Sequence, residues 1–365
     1  MKKILFFAAL AISLCASSCQ KSGYTISGTI EGAKDGDTVL LISTNNRAID
    51  TLVVATIKDE KFTISGQQDS ADFAYLVYQN DQLHQQAQVV LENADIQVTM
   101  KPGTELPVVS GTLMNEQWMT FLGKIKEVNE KSGSIYEKMT KADASDEEKA
   151  NAQKELEGIQ QEMVSFFKTF IAGNIQNMVG QHLLANVADE IGDDDFVDTQ
   201  LAAIEEKNIT STARDLKQRR SVAAATAVGK PFKDIKAPTP EGTELAVSDV
   251  AKNAKVLMID FWASWCGPCR QEMPNVKAAY QKFHAQGFEI IGVSLDKEAD
   301  AWKKAISDLG MTWPQISDLK GWECEGASAY SVRAIPATVL IKDGKIVARN
   351  VRGEEIATKV QELLK

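Results

Sequence analysis

Apolar and polar residues alternate in short runs through the first third of the chain. Tyr24-Thr25-Ile26-Ser27-Gly28-Thr29-Ile30 sets the period of two, and Gly32 to Asp37 supplies a turn before the apolar run Thr38–Ser43. Similar runs occupy Thr51–Ile57, Lys61–Ser65, Phe73–Tyr78, Gln88–Glu92 and Asp95–Met100. Strands bounded by turn residues at this spacing predict a small all-β domain, placed at 19–112. From Leu113 to about Val228 the period lengthens to 3.6 and strand signals stop. Ser145 followed by Glu148 has the form of a capping box. It opens a helix through Phe170 in which Leu156, Ile159, Met163, Phe166, Phe167 and Phe170 recur at helical spacing. Gly192 reads as a helix stop before the acidic turn Asp193-Asp194-Asp195. Four or five helices are expected over 113–228 as a connecting segment; no strict heptad lasts long enough for a coiled-coil stalk.

From Gly229 to Lys365 strands and helices alternate. Val256–Phe261 reads as a buried strand, Pro268 to about Gln286 as a helix, Phe288–Ser294 as a strand and Glu298–Leu309 as a helix. Ala337–Lys342 and Ile346–Val351 flank Asp343-Gly344 as a hairpin, and Glu355–Leu364 closes the chain as a helix. This order predicts an α/β domain of the thioredoxin-like class over 229–365. The fold class is therefore multidomain: a small all-β domain, a helical middle segment and a C-terminal α/β thioredoxin-like domain.

Length agrees, since 365 residues is about twice an ordinary domain. With 44% hydrophobic and 25% charged residues the chain reads as globular. A formal charge of -10 without a Lys/Arg stripe argues against nucleic-acid partners.

The first residues bear on location. Lys2 and Lys3, an apolar run from Ile4 to Leu14, and Ala16-Ser17-Ser18-Cys19 make up a leader too short to span a bilayer. The segment resembles a bacterial lipoprotein signal over 1–18, which implies lipidation of Cys19. Ala16 departs from the commonest pattern, which has Leu three before the Cys, and Cys15 fits less well because Leu14 precedes it. Of the five cysteines, Cys266 and Cys269 then remain as a close pair and Cys324 stands alone. One close pair in an extracytoplasmic chain suggests a working dithiol rather than a staple.

A thiolate attacks a disulfide far faster than a thiol. Cys266 stands where a strand turns into a helix, and the helix N-terminus favours the anion. Cys269, one turn further in, can resolve a mixed disulfide formed on Cys266. Zinc is disfavoured, because His84, His182 and His284 are scattered and no second paired-cysteine motif exists. A purely structural disulfide is the other plain reading. No metal and no cofactor is expected beyond a redox-active Cys266–Cys269 disulfide.

The run Asp260-Phe261-Trp262-Ala263-Ser264-Trp265-Cys266-Gly267-Pro268-Cys269 closely resembles the active-site segment of thioredoxins. With the lead-in Gly242 to Asp249 and an extra strand-helix element around Asp296–Leu309, residues 230–365 resemble the ResA/TlpA-type extracytoplasmic thiol:disulfide oxidoreductases. Ile335-Pro336-Ala337-Thr338 matches that family's cis-proline loop, which implies that Pro336 lies against the dithiol and that the Ile335 backbone faces substrate. The resemblance makes Asp260 the buried acid that moves the proton of the second cysteine, with a raised pKa. Glu272 matches an acid that shares this task; its plain alternative is a solvated helix carboxylate. Trp265, Gly267 and Pro268 belong to the substrate rim, and Trp262, Trp302 and Trp313 are assigned to packing. Asp296, Lys297 and Glu298 read as an ordinary polar helix start, and Cys324 as a loop residue. The β-domain resembles an uncharacterised domain found before thioredoxin domains in lipoproteins of Bacteroides-type bacteria.

The resemblance implies reduction of protein disulfides in the cell envelope, in the manner of cytochrome c maturation. Its partners would be protein disulfide substrates, a membrane electron donor of the DsbD/CcdA type, and the membrane itself through a lipid anchor. Two alternatives stand beside it. One is a thiol peroxidase of the same fold, whose Pro-x-x-x-Thr-x-x-Cys segment is absent. The other is an envelope binding protein in which the first 228 residues recruit a partner and the redox domain assists.

Overall fold

A computed structural model describes residues 22–43, 49–141 and 144–365. The leader, Cys15 and the lipidation candidate Cys19 lie outside the described residues. The chain divides into two compact units, one ending at Ala213 and one beginning at Arg214.

Among the described residues the first unit has eight strands: β1 (Tyr24–Ile30), β2 (Thr38–Ser43), β3 (Asp50–Thr56), β4 (Lys61–Gly66), β5 (Asp72–Gln79), β6 (His84–Leu91), β7 (Asp95–Met100) and β8 (Val108–Ser110). They form two four-stranded sheets, ordered β4-β1-β7-β8 and β3-β2-β5-β6. Alternate residues point into one shared core, among them Ile26, Ile30, Val39, Leu41, Leu76, Val89 and Ile96. Two features lay beyond the sequence pattern. β6 begins four residues before the expected Gln88, because Asn80 Oδ1 accepts the Gln82 and Leu83 N–H groups, each at 2.9 Å, and closes a hairpin. That turn pairs Gln79 with His84, so backbone bonding carries a polar stretch into the sheet. β8 has only three residues, too few to show a period.

Among the described residues five α-helices follow, α1 (Leu113–Met139), α2 (Asp146–Asn174), α3 (Met178–Ile191), α4 (Asp194–Ala203) and α5 (Ser211–Ala225), the last beginning in the first unit and running mostly in the second. The capping box is present, with Glu148 N–H donating to Ser145 Oγ and Ser145 N–H to Glu148 Oε2. Gly192 ends α3 at φ 61°, where a side chain would strain the backbone. The acidic turn after it has a purpose, since Asp193 accepts the Phe196 N–H and caps α4. Phe121 of α1 packs among Phe166, Phe167 and Phe170 of α2. Buried Asn115 ties α1 to the sandwich, accepting the Val90 N–H and donating to the Val90 carbonyl, both at 2.8 Å. Among the described residues no helix is long and apolar enough to cross a membrane.

The second unit contains β9 (Lys236–Pro238), β10 (Glu244–Ala246), α6 (Val247–Ala251), β11 (Val256–Trp262), α7 (Gly267–Phe283), β12 (Phe288–Ser294) and α8 (Ala299–Leu309). It continues with β13 (Gln315–Ile316), α9 (Glu325–Ala329), β14 (Ala337–Lys342), β15 (Lys345–Arg349) and α10 (Glu354–Leu364). The main sheet has the order β13-β12-β11-β14-β15. β11 runs parallel to β12 and antiparallel to β14, the βαβ plus ββα arrangement of a thioredoxin-like fold. Every residue of β11 is buried, as befits a central strand covered on both faces. Asp343 and Gly344 both have positive φ, which matches the twist of the β14–β15 hairpin. Trp262, Trp302 and Trp313 all lie in the core.

Candidate functional site: a dithiol between two loops

The central strand delivers the site. β11 ends at Trp262, the chain turns through Ala263-Ser264-Trp265, and Cys266 becomes the N-cap of α7. Pro268 falls in the first helical turn, where its missing N–H has no intrahelical partner to lose. Cys266 and Cys269 are joined, with an S–S distance of 2.01 Å. The Cys269 N–H points at Cys266 Sγ from 3.1 Å. In the reduced state that donor and the N-terminal end of α7 would hold a thiolate on Cys266. Both cysteines are buried, Cys266 at 4% exposure and Cys269 at 2%, whereas Gly267, Pro268 and Trp265 are open to solvent.

A second loop faces the dithiol. The Ile335-Pro336 peptide is cis, and the Ile335 carbonyl oxygen lies 3.7 Å from Cys266 Sγ. Arg352 holds this loop, donating from Nη2 to the Pro336 carbonyl. The next residue, Gly353, donates its N–H to Glu272 Oε1 at 2.5 Å. Glu272 is therefore half-buried and bonded to the backbone that starts α10, not a freely solvated helix carboxylate. Asp260 lies under the site on β11, in register with Thr338 two residues past Pro336. Burial, with a smaller contribution from the nearby charge of Glu272, pushes its carboxyl up to about 7. A carboxyl in that range can take a proton from a thiol near neutral pH.

Two contributors to the site and one neighbour of its rim escaped the linear reading. Asp296 is not part of an ordinary polar helix start: it is buried at 1% exposure, and it accepts the Ser264 N–H at 3.0 Å, the Ser264 hydroxyl at 2.5 Å and the Ser294 hydroxyl at 2.7 Å. The signal was available in the strand register. Trp262 pairs with Ser294, so Ser264 and Asp296, each two residues further on, emerge side by side. Arg352 stands 86 residues after Cys266, and nothing local marks it. Trp322 is the neighbour of the rim, its ring centroid 6.2 Å from that of Trp265. Cys324 is buried, and burial raises its thiol pKa, so it is a poor nucleophile. No group of three or more His, Cys, Asp or Glu side chains among the described residues is arranged to hold a metal. His182 packs instead between Phe73 and Trp118.

A strand-turn-helix dithiol facing a cis-proline loop defines a thioredoxin-fold thiol-disulfide oxidoreductase. Comparison with known proteins narrows this. Residues 228–349 match the AhpC/TSA family, and residues 24–118 match a domain of unknown function, DUF4369. The thiol-disulfide oxidoreductase ResA of Bacillus anthracis is 32% identical over 139 residues, 38% of this chain and 77% of that protein. ResA of Geobacillus thermodenitrificans is 32% identical over 123 residues, 33% of this chain and 68% of that protein. Among solved structures, the thioredoxin domain of a Bacteroides vulgatus thiol-disulfide oxidoreductase is 30% identical and covers 38% of this chain and 99% of its own, with a TM-score of 0.36. A thiol-disulfide oxidoreductase from Bacteroides fragilis is 31% identical, covering 37% and 99%, with a TM-score of 0.35. The chain belongs to the ResA/TlpA-type thiol-disulfide oxidoreductases.

Proposed function

We propose that this enzyme reduces protein disulfides outside the cytoplasm, tethered to a membrane through lipid on Cys19. The observation that carries the reading is the Cys266–Cys269 pair at the start of α7, with Cys266 Sγ beside the Ile335 carbonyl. In the reduced enzyme the Cys266 thiolate attacks a client disulfide. A bond forms between Cys266 and one client sulfur, and the other leaves as a thiolate. Asp260, aided by Glu272, accepts the Cys269 proton. The Cys269 thiolate then attacks Cys266 Sγ, which releases the second client thiolate and closes the Cys266–Cys269 bridge. Two electrons have passed to the client. A membrane dithiol donor of the DsbD/CcdA class returns them. Trp265, Gly267, Pro268, Ile335 and Pro336 form the face that holds the client, and no metal or added cofactor enters the cycle.

The resemblance of residues 1–18 to a lipoprotein signal supports the location, and the Gly-Pro pair between the cysteines supports the reducing direction. On this reading the β-domain of 19–112 and the helical segment of 113–228 help select clients for the redox domain of 229–365. Trapping tests the mechanism. Cys269→Ser should accumulate client proteins as mixed disulfides on Cys266, identified by mass spectrometry. Adducts no more abundant than in Cys266→Ser would refute it, and a Cys266–Cys269 potential near about -120 mV would refute the reducing direction.

The AhpC/TSA match favours one second reading, a thiol peroxidase. Against it, the positions where Pro-x-x-x-Thr-x-x-Cys would place Pro and Thr hold Ile259 and Ala263. Rapid peroxide consumption that depends on Cys266 would restore it.

A further inference from the structure

Large aromatic side chains rarely stay exposed in pairs without a partner to meet. Trp265 is 56% exposed and Trp322 is 42% exposed, with their rings inclined at 53°. Trp265 has little choice, because it stands between the end of β11 and the cap residue Cys266. Trp322 has no such constraint. It sits in a three-residue turn, Gly321–Glu323, where a polar residue would avoid the cost of exposing an indole.

The turn under Trp322 is firmly held. Asp318 accepts the Lys320 N–H at 3.1 Å and the Glu325 N–H at 2.9 Å. Gly321 has φ 63°, and a Cβ there would stand 2.6 Å from the Lys297 side chain. Cys324 plugs the core immediately behind, donating its N–H to the Gly321 carbonyl. The lone cysteine thus acts as an anchor for the turn. An aromatic ring fixed before its ligand arrives loses little conformational freedom on contact.

We propose that Trp322 and Trp265 together receive a large apolar side chain next to the disulfide cysteine of an extended client polypeptide, giving the enzyme a sequence preference. This rests on the reductase reading above. The geometry commits the occupant. A client sulfur bonded to Cys266 lies beside the Ile335 carbonyl, so the attached chain runs between that loop and Trp265. Trp265 precedes Cys266 directly, and Trp322 extends the apolar surface from it. Two inclined rings offer both faces and edges, which suits an aromatic guest.

The test uses the reduced full chain and three disulfides: a peptide with Phe beside its attacked cysteine, the same peptide with Ser there, and bis(2-hydroxyethyl) disulfide. The wild type should prefer the Phe peptide by about five- to tenfold in kcat/KM. Trp322→Ala should bring that ratio to about one, Trp322→Phe should keep most of it, and neither should change reduction of the small disulfide. Equal rates for the two peptides in the wild type would overturn this inference alone. So would a Trp322→Ala loss shared by all three substrates, which marks damage to the dithiol. A wild type that reduces none of the three would sink the reductase reading itself.

Discussion

Asp37 in the first unit and Asp260 in the second are the same residue type in opposite electrostatic settings. Asp37 accepts hydrogen bonds from the Tyr78 hydroxyl at 2.6 Å and from Asn80 at 3.1 Å, and these hold its carboxyl below the usual range. Asp260 is buried in an apolar strand, and desolvation lifts it to about 7. One acid is kept charged and fastens a loop. The other is kept near its titration point and can pass a proton. Asn115 and Gln181, both buried in the first unit, follow the Asp37 pattern and bond the backbone of neighbouring segments. Chemistry is concentrated where a group is denied such partners.

The comparison can be broken most severely at Asp260. Asp260→Asn should slow disulfide reduction roughly 10- to 100-fold and remove a step near pH 7 from the rate profile. Its stability signature has a definite sign. The folded pKa is raised above the unfolded value, so native Asp260 keeps its proton where the unfolded chain has lost it. Stability therefore falls as pH rises from about 4 to 7. In denaturant titrations the Asn variant should lack this decline and be more stable at neutral pH, by on the order of a few kcal/mol. A variant as active and as pH-sensitive as the wild type would remove Asp260 from the chemistry.

In the first unit, Asn115→Ala should cost roughly 2 kcal/mol, because both Val90 backbone groups lose their buried partner. Hydrogen exchange in β6 and α1 reads the loss, and the reduction rate should stay unchanged. Tyr78→Phe should cost about 1 kcal/mol and release Asp37 toward an ordinary pKa, again without effect on the dithiol. The smallest effect is expected at Glu272. Removing its charge in Glu272→Gln should move the Asp260 step to lower pH by a fraction of a unit. An upward move would mean that Glu272 acts through the Gly353 contact and not through its charge.

Much of this was readable in sequence because it depends on neighbours in the chain. Alternation gave the strands from Tyr24 to Met100, Ser145 and Glu148 gave the start of α2, and Asp343-Gly344 gave the last hairpin. The dithiol was equally plain, since a strand, a turn and a helix start lie within ten residues. Short elements such as β8, β9, β10 and β13 have two or three residues and no period to detect. The partners of the dithiol depend on distant meetings. Glu272 finds its place through Gly353, Pro336 through Arg352, and Ser264 through Asp296. None of these pairs shares a local pattern.

The hydrogen bonds of Arg349 also decide where a freestanding redox fragment can begin. Its guanidinium donates to the Thr226 carbonyl at 2.9 Å, the Thr226 hydroxyl at 3.1 Å and the Tyr330 carbonyl at 2.6 Å, and its burial already disfavours the charge. A fragment cut at Gly229, where the alternating pattern starts, would remove both Thr226 acceptors and leave the guanidinium at the end of β15 with the Tyr330 carbonyl alone. A cut at Arg214 retains those acceptors and the turn that supplies them. The natural seam for protein engineers thus lies inside α5, about fifteen residues ahead of the seam that hydropathy suggests.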